Sequence, residues 1–164
     1  MEQRKRLPVS VSVAVFIENE EGKLLMVQQA GEDEDTGKWG FPAGGMDAHE
    51  DPMMAAIREA KEETGFDVKL TDLVRIYVFD HGDDASGIAF SFRCRIVGGE
   101  MTLPPDEISD CRYFSVAEIQ DLLAQGKIYK PEYNTVNLQN RLEGRSYPFE
   151  VIRPLLCRGA GLKK

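Results

Sequence analysis

The stretch from Gly44 to Phe66, GGMDAHEDPMMAAIREAKEETGF, constrains this chain's fold more than any other part. Asp51-Pro52 marks a helix start, because Asp caps the first N–H groups and Pro suits the first helical position. Gly65 stands where a left-handed residue closes a helix. The spacing predicts a helix over residues 51–64. On a wheel of about 100° per residue, Met53, Ala56, Ile57, Ala60 and Thr64 form the expected core-facing stripe. Glu59, Glu62 and Glu63 are expected on the far side, close enough in spacing for their carboxylates to meet. Arg58 relieves only part of their repulsion. A solvated acidic face is one reading of this cluster. The other takes its cue from the glycine pair Gly44-Gly45, expected as a tight turn whose carbonyls face the carboxylates. Together they form a hard-oxygen donor set suited to Mg²⁺ or Mn²⁺.

The remaining pattern supplies a sheet for that helix to cover. Val9–Ile17 reads as a buried strand, turning at Gly22 into a hairpin partner over Lys23–Gln28. Trp39–Pro42, Asp72–Asp80, Ile88–Val97 and Asp110–Phe114 read as further strands, with His81–Gly87 as a polar hairpin loop. Ser115 and Glu118 form a capping box for a helix over Ser115–Ala124, and an amphipathic helix is expected around Thr135–Leu142. The expected class is α+β, an α/β/α sandwich with a mixed sheet flanked by helices. The 164 residues suit a single domain, with a core over about residues 9–152 and flexible termini.

Charge narrows the partners. Twenty basic against 28 acidic residues leave −8, the wrong sign for a non-specific nucleic-acid binder, and Arg4-Lys5-Arg6 is too short to reverse it. An anionic ligand would then require a bound cation. Cys94, Cys111 and Cys157 are widely spaced and, with only His49 and His81, form no zinc pattern. Small buried thiols in a reducing compartment are the expectation. No apolar run reaches the ~18 residues of a membrane span, and no secretory cleavage site follows Val9–Ile17. The expected setting is cytoplasmic, without membrane or nucleic-acid partners. Gly31-x5-Gly37-Lys38 has the wrong spacing for a P-loop, and Asp80–Gly87 lacks the terminal Glu of a calcium loop.

Gly44-x5-Glu50-x7-Arg58-Glu59-Ala60-x-Glu62-Glu63-x-Gly65-Phe66 resembles the Nudix box, G-x5-E-x7-R-E-U-x-E-E-x-G-U, where U is bulky and apolar. Ala60 is smaller than the usual U, Ala43 replaces a frequent Gly, and Asp47 stands where Glu is common. The flanks agree, with Trp39-x-Phe41-Pro42 before the box and Tyr113-Phe114-Ser115-x-x-Glu118-Ile119 after it. The resemblance, to MutT-like Nudix hydrolases, covers roughly Ser10–Leu123. It implies hydrolysis of a nucleoside diphosphate linked to another group, by water attack on phosphorus. Mg²⁺, with Mn²⁺ able to substitute, is implied as cofactor, its ligands being Glu59, Glu62, Glu63 and the Gly44 carbonyl. Arg58 would hold a glutamate in its coordinating rotamer, Glu50 would support it, and Glu107 would serve as a further ligand or base, with Asp106 as its competitor.

Neither a Pro at position 82 nor a Tyr at position 84, tags of the ADP-ribose and dinucleoside polyphosphate branches, is present: Gly82 and Asp84 stand there. Pro42-Ala43-Gly44, Asp110-Cys111-Arg112 and Gly144-Arg145-Ser146-Tyr147-Pro148 resemble a bacterial phosphatase branch acting on nucleoside tri- and diphosphates and thiamine-type pyrophosphates. An ADP-ribose or nucleotide-sugar pyrophosphatase is the alternative, and a non-catalytic nucleotide-binding module the other. Arg93, Arg95 and Arg112 are candidate phosphate contacts because Arg forks match phosphate oxygens, and Tyr147 is a candidate stacking residue. The expected partner is a small-molecule nucleoside or thiamine-type pyrophosphate, bound by a monomer or homodimer.

Overall fold

The computed structural model describes residues 9–80 and 86–152. Arg4-Lys5-Arg6, Cys157, most of the expected His81–Gly87 loop and the two termini lie outside that description. Seven strands and three helices follow in the order β1 (Val9–Ile17), β2 (Leu24–Gln29), β3 (Trp39–Gly40), β4 (Ala43–Gly45), α1 (Pro52–Thr64), β5 (Phe66–Asp80), β6 (Ser86–Gly99), β7 (Ile108–Phe114), α2 (Val116–Ala124) and α3 (Pro131–Glu143). A 3₁₀ turn at Phe149–Val151 follows.

Two sheets form, rather than one. The larger has the order β4-β1-β6-β5 and the smaller β3-β2-β7. β1 runs parallel to β6 and antiparallel to β4. The expected β1–β2 hairpin is therefore corrected. Asn19 does turn the chain, accepting N–H groups of Glu21 and Lys23, but β2 leaves to pair with β3 and β7 in the second sheet. The glycine pair also differs from expectation, because Gly44 and Gly45 belong to strand β4 instead of a turn. β5 is longer than its apolar run suggested, starting directly after Gly65 and absorbing three register shifts along β6.

Strand alternation sorts the apolar residues into two cores. Val13, Val15 and Ile17 of β1 and Leu25 and Val27 of β2 point to the side covered by α1, where Ala55, Ala56 and Ala60 meet them. Phe16, Leu24 and Met26 point to the other side, packed with Trp39, Phe41, Ile119 and Leu138. Helices on both sides of the sheets give the expected α/β/α layering. Burial of Cys94 and Cys111 pushes both thiols up to about 12, so they pack as small apolar groups. Among the described residues, no helix is long and apolar enough to cross a membrane.

Candidate active site

α1 is fixed at both ends by its own sequence. The Asp51 carboxylate accepts the N–H groups of Met53 and Met54, each at 2.9 Å, and Pro52 takes the first helical position. At the far end Gly65 adopts φ 79°, and its N–H bonds the Lys61 carbonyl at 2.9 Å. Between these caps the buried face is Ala55, Ala56, Glu59, Ala60, Glu63 and Thr64. The wheel reading is corrected here. Ile57 stays 42% exposed, whereas Glu59 and Glu63 are only 8% and 9% exposed. At about 100° per residue, Glu63 falls within about 20° of Ala56, so it shares the helix's sheet-facing side. The two carboxylates flank the apolar stripe and press against β4 rather than opposing the core.

β4 receives them. Glu63 Oε2 accepts the Ala43 N–H at 3.0 Å. Next along the strand, Gly44 has no room for a side chain, because a Cβ would overlap the Glu59 carboxylate. Arg58 then ties the strand, the helix and the preceding loop together. Its Nη2 donates to the Gly45 carbonyl at 2.8 Å, and Nη2 and Nε grip Glu50 at 3.0 and 2.8 Å. Its Nη1 donates to Glu59 at 2.7 Å and to Glu62 at 2.8 Å. Glu50 also accepts the Asp47 N–H at 3.0 Å, which closes the loop before the helix. The Arg58 guanidinium accordingly holds the Glu50 carboxyl below its ordinary range.

The buried glutamates behave oppositely. Burial raises Glu59, against the pull of Arg58. Burial also pushes Glu63 up to about 8, opposed by the Ala43 N–H and reinforced by the charges of Glu59, Glu107 and Glu62. Glu107 lies on the exposed turn before β7, with its carbonyl accepting the Ala30 N–H at 2.8 Å. The structure thus brings Glu59, Glu62, Glu63, Arg58, Glu50 and Glu107 to one locality. Among the described residues, however, no three acidic, His or Cys side chains are gathered into a coordination cluster. Arg58 is the physical reason, since it draws Glu59 and Glu62 to itself. The donor set still fits a hard divalent cation: carboxylate oxygens and the Gly44 peptide lie together, and two of the carboxyls are raised by burial, which a cation would offset.

The expected substrate contacts are placed elsewhere. Arg93 is half-buried on β6, with its Nε buried and unbonded, and Arg95 is exposed further along that strand. Arg112 pairs with Asp110 and lies 5.8 Å above the Trp39 ring. Tyr147 is 49% exposed and pairs by its backbone with Leu73. None of the four lines the large cavity beside β4.

That cavity, of ≈ 470 Å³, is the feature that sequence reading missed. Its floor is a patch of small residues on neighbouring strands, Ser12 and Ala14 of β1 opposite Ala89 and Ser91 of β6. Its walls are aromatic, with Phe79 and Tyr133 packed edge to face at 4.9 Å, and α3 roofs it with Asn134 and Asn137. Ala43, Gly44 and Gly45 form the end shared with the carboxylates. Alternation of small residues along β1 and β6 was the available signal, but only the strand register shows that they adjoin.

Comparison with known proteins agrees with this architecture. The NUDIX domain family matches residues 8–134. A "MutT-like protein" of Streptomyces ambofaciens is 35% identical over 111 residues, covering 62% of this chain and 68% of the relative. "Phosphatase NudJ" of Escherichia coli is 30% identical over 145 residues, covering 87% and 89%. The solved NUDIX hydrolase from Nitrosomonas europaea superposes with a TM-score of 0.78 at 25% identity, covering 91% of this chain and 98% of that one. With a family match over most of its length and the same fold in a solved relative, this chain belongs to the NUDIX family of MutT-like hydrolases.

Proposed function

We propose that this hydrolase cleaves a phosphoanhydride bond of a nucleoside di- or triphosphate, or of a related pyrophosphate, by water attack on phosphorus. The observation that carries this reading is the placement of two buried glutamates, Glu59 and Glu63, against a glycine strand that also ends a cavity sized for a nucleoside. Mg²⁺, or Mn²⁺ in its place, would be held by Glu59, Glu62, Glu63 and the Gly44 carbonyl. When bound, the cation supplies phosphate charge neutralisation and a more acidic water.

The chain's own groups do the rest. Arg58 sets the rotamers of Glu59 and Glu62 and, through Glu50 and Gly45, fixes the helix against β4. Such supporting contacts typically alter metal affinity or activity by about 10–100-fold. Glu107, on the exposed turn before β7, would take the proton of the attacking water. The aromatic cavity seats the organic part of the substrate, holding the pyrophosphate toward Gly44. Incubation with nucleoside di- and triphosphates and thiamine diphosphate tests this, with phosphate, pyrophosphate and monophosphate separated as products. Cation-dependent release of one of these is expected. No release from any substrate with millimolar Mg²⁺ or Mn²⁺ would overturn the assignment.

A further inference from the structure

Ion pairing treats the arginines unequally. Arg58, Arg75, Arg112, Arg141 and Arg145 each meet a carboxylate. Arg93 and Arg95 alone among the described arginines meet none, in a chain with 28 acidic residues. They stand two positions apart on β6, so their side chains leave the same face of the sheet. Arg93 Nε is also the one buried side-chain nitrogen or oxygen without a partner among the described residues. A guanidinium is always charged, and a buried donor on it without an acceptor is costly.

Strand register adds a third cation. Lys69 of β5 lies directly opposite Arg95, and it too has no ion-pair partner among the described residues. Like charges facing each other across two strands are destabilising. The neighbouring acids do not relieve them. Asp72 stands opposite Arg93, but its Oδ1 accepts the Ser146 hydroxyl at 3.4 Å. Glu18, just past β1, is gripped by Arg141 through both carboxylate oxygens. Phe16, the partner of Arg93 on β1, belongs to the core away from α1. The three cations therefore sit on the sheet face opposite the one that α1 covers, apart from the carboxylates of the candidate active site, and none of them lines the cavity.

We propose that Lys69, Arg93 and Arg95 form a second anion site, for a phosphate-bearing anion with two or more negative charges. Two positions along a strand separate the arginines by about 6.6 Å, and directly opposite side chains start about 5 Å apart. Three long side chains rooted within that span reach one compact oxyanion, and arginine forks match its oxygens in pairs. Such an anion offsets the mutual repulsion and gives the buried Arg93 Nε its acceptor. A neutral or singly charged ligand would leave most of the repulsion in place.

Pyrophosphate is the probe, titrated by calorimetry into the full chain dialysed free of divalent cations, so that the α1 carboxylates repel it. One-to-one binding is expected, weakening as salt is added. Arg95→Gln and Lys69→Gln alter exposed side chains and should each weaken it about ten-fold, as loss of one charge-assisted contact does. Arg93→Gln should weaken it at least as much, with a thermal melt checking that it folds; if it does not, the two exposed variants carry the test. Lys127→Gln removes an exposed charge elsewhere and should leave the affinity unchanged. No binding to the unaltered protein would overturn the site. Equal weakening by Lys127→Gln would overturn it as an effect of net charge, and loss confined to Lys130→Gln would overturn it by placing the anion in the cavity.

Discussion

Two faces of the same strand behave very differently. On one, β4 meets α1 through charged groups drawn from 20 consecutive positions, Gly44 to Glu63. On the other, it ends a cavity built from β1, β5, β6 and α3, whose residues span Ser10 to Asn137. The first face is crowded, acidic and tied by one arginine. The second is roomy, aromatic and free of carboxylates. The contrast teaches that the charged face depends on local spacing, while the cavity depends on which distant segments the topology brings together.

The largest expected effect belongs to the charged face. Glu63→Gln should lower turnover by roughly 100-fold or more, as loss of a proposed metal ligand, while keeping an acceptor for the Ala43 N–H. Thermal melts beside rates check this, and an unchanged rate would erase the distinction between the faces. Next comes pH. Glu63 is raised to about 8 in the folded state, so the unfolded chain releases its proton first. Metal-free protein is therefore most stable below about pH 4.5 in respect of this group and loses that contribution as pH rises toward 8. The loss is on the order of a few kcal/mol, visible as a falling melting temperature that Glu63→Gln flattens.

Gly44→Ala should cost about 1–3 kcal/mol, because the new Cβ meets Glu59, and denaturant melts would read it. Tyr133→Ala tests the other face: KM should rise about ten-fold with kcat nearly kept, since the proposed contact is to the substrate's organic part. Ile57→Gln should change stability by no more than about 0.5 kcal/mol, as for an ordinary surface site. A larger loss would restore the stripe that the helix wheel suggested.

Sequence made the helix legible to its caps, since Asp51, Pro52 and Gly65 act locally and act as expected. The capping box of Ser115 and Glu118 is likewise local and present. Orientation was less legible. A wheel ranks side chains by hydrophobicity, which sent Ile57 inward and Glu63 outward; in the structure Glu63 is buried with its carboxylate accepting an N–H of the strand beneath, and Ile57 stays exposed. The two-sheet split lay further out of reach, as the β1–β6 pairing joins Val13 to Phe90 across a long separation. The cavity follows from that pairing and shared its obscurity.

β4 is three residues long and, among the described residues, pairs along one edge only, with Ser12, Val13 and Ala14. Such a short partition cannot bend on one side without moving on the other. The Ala43 N–H is bonded to the Glu63 carboxylate, so any displacement of that peptide reaches the acid as well. The chamber and the carboxylates thus share a single three-residue strand as their common wall.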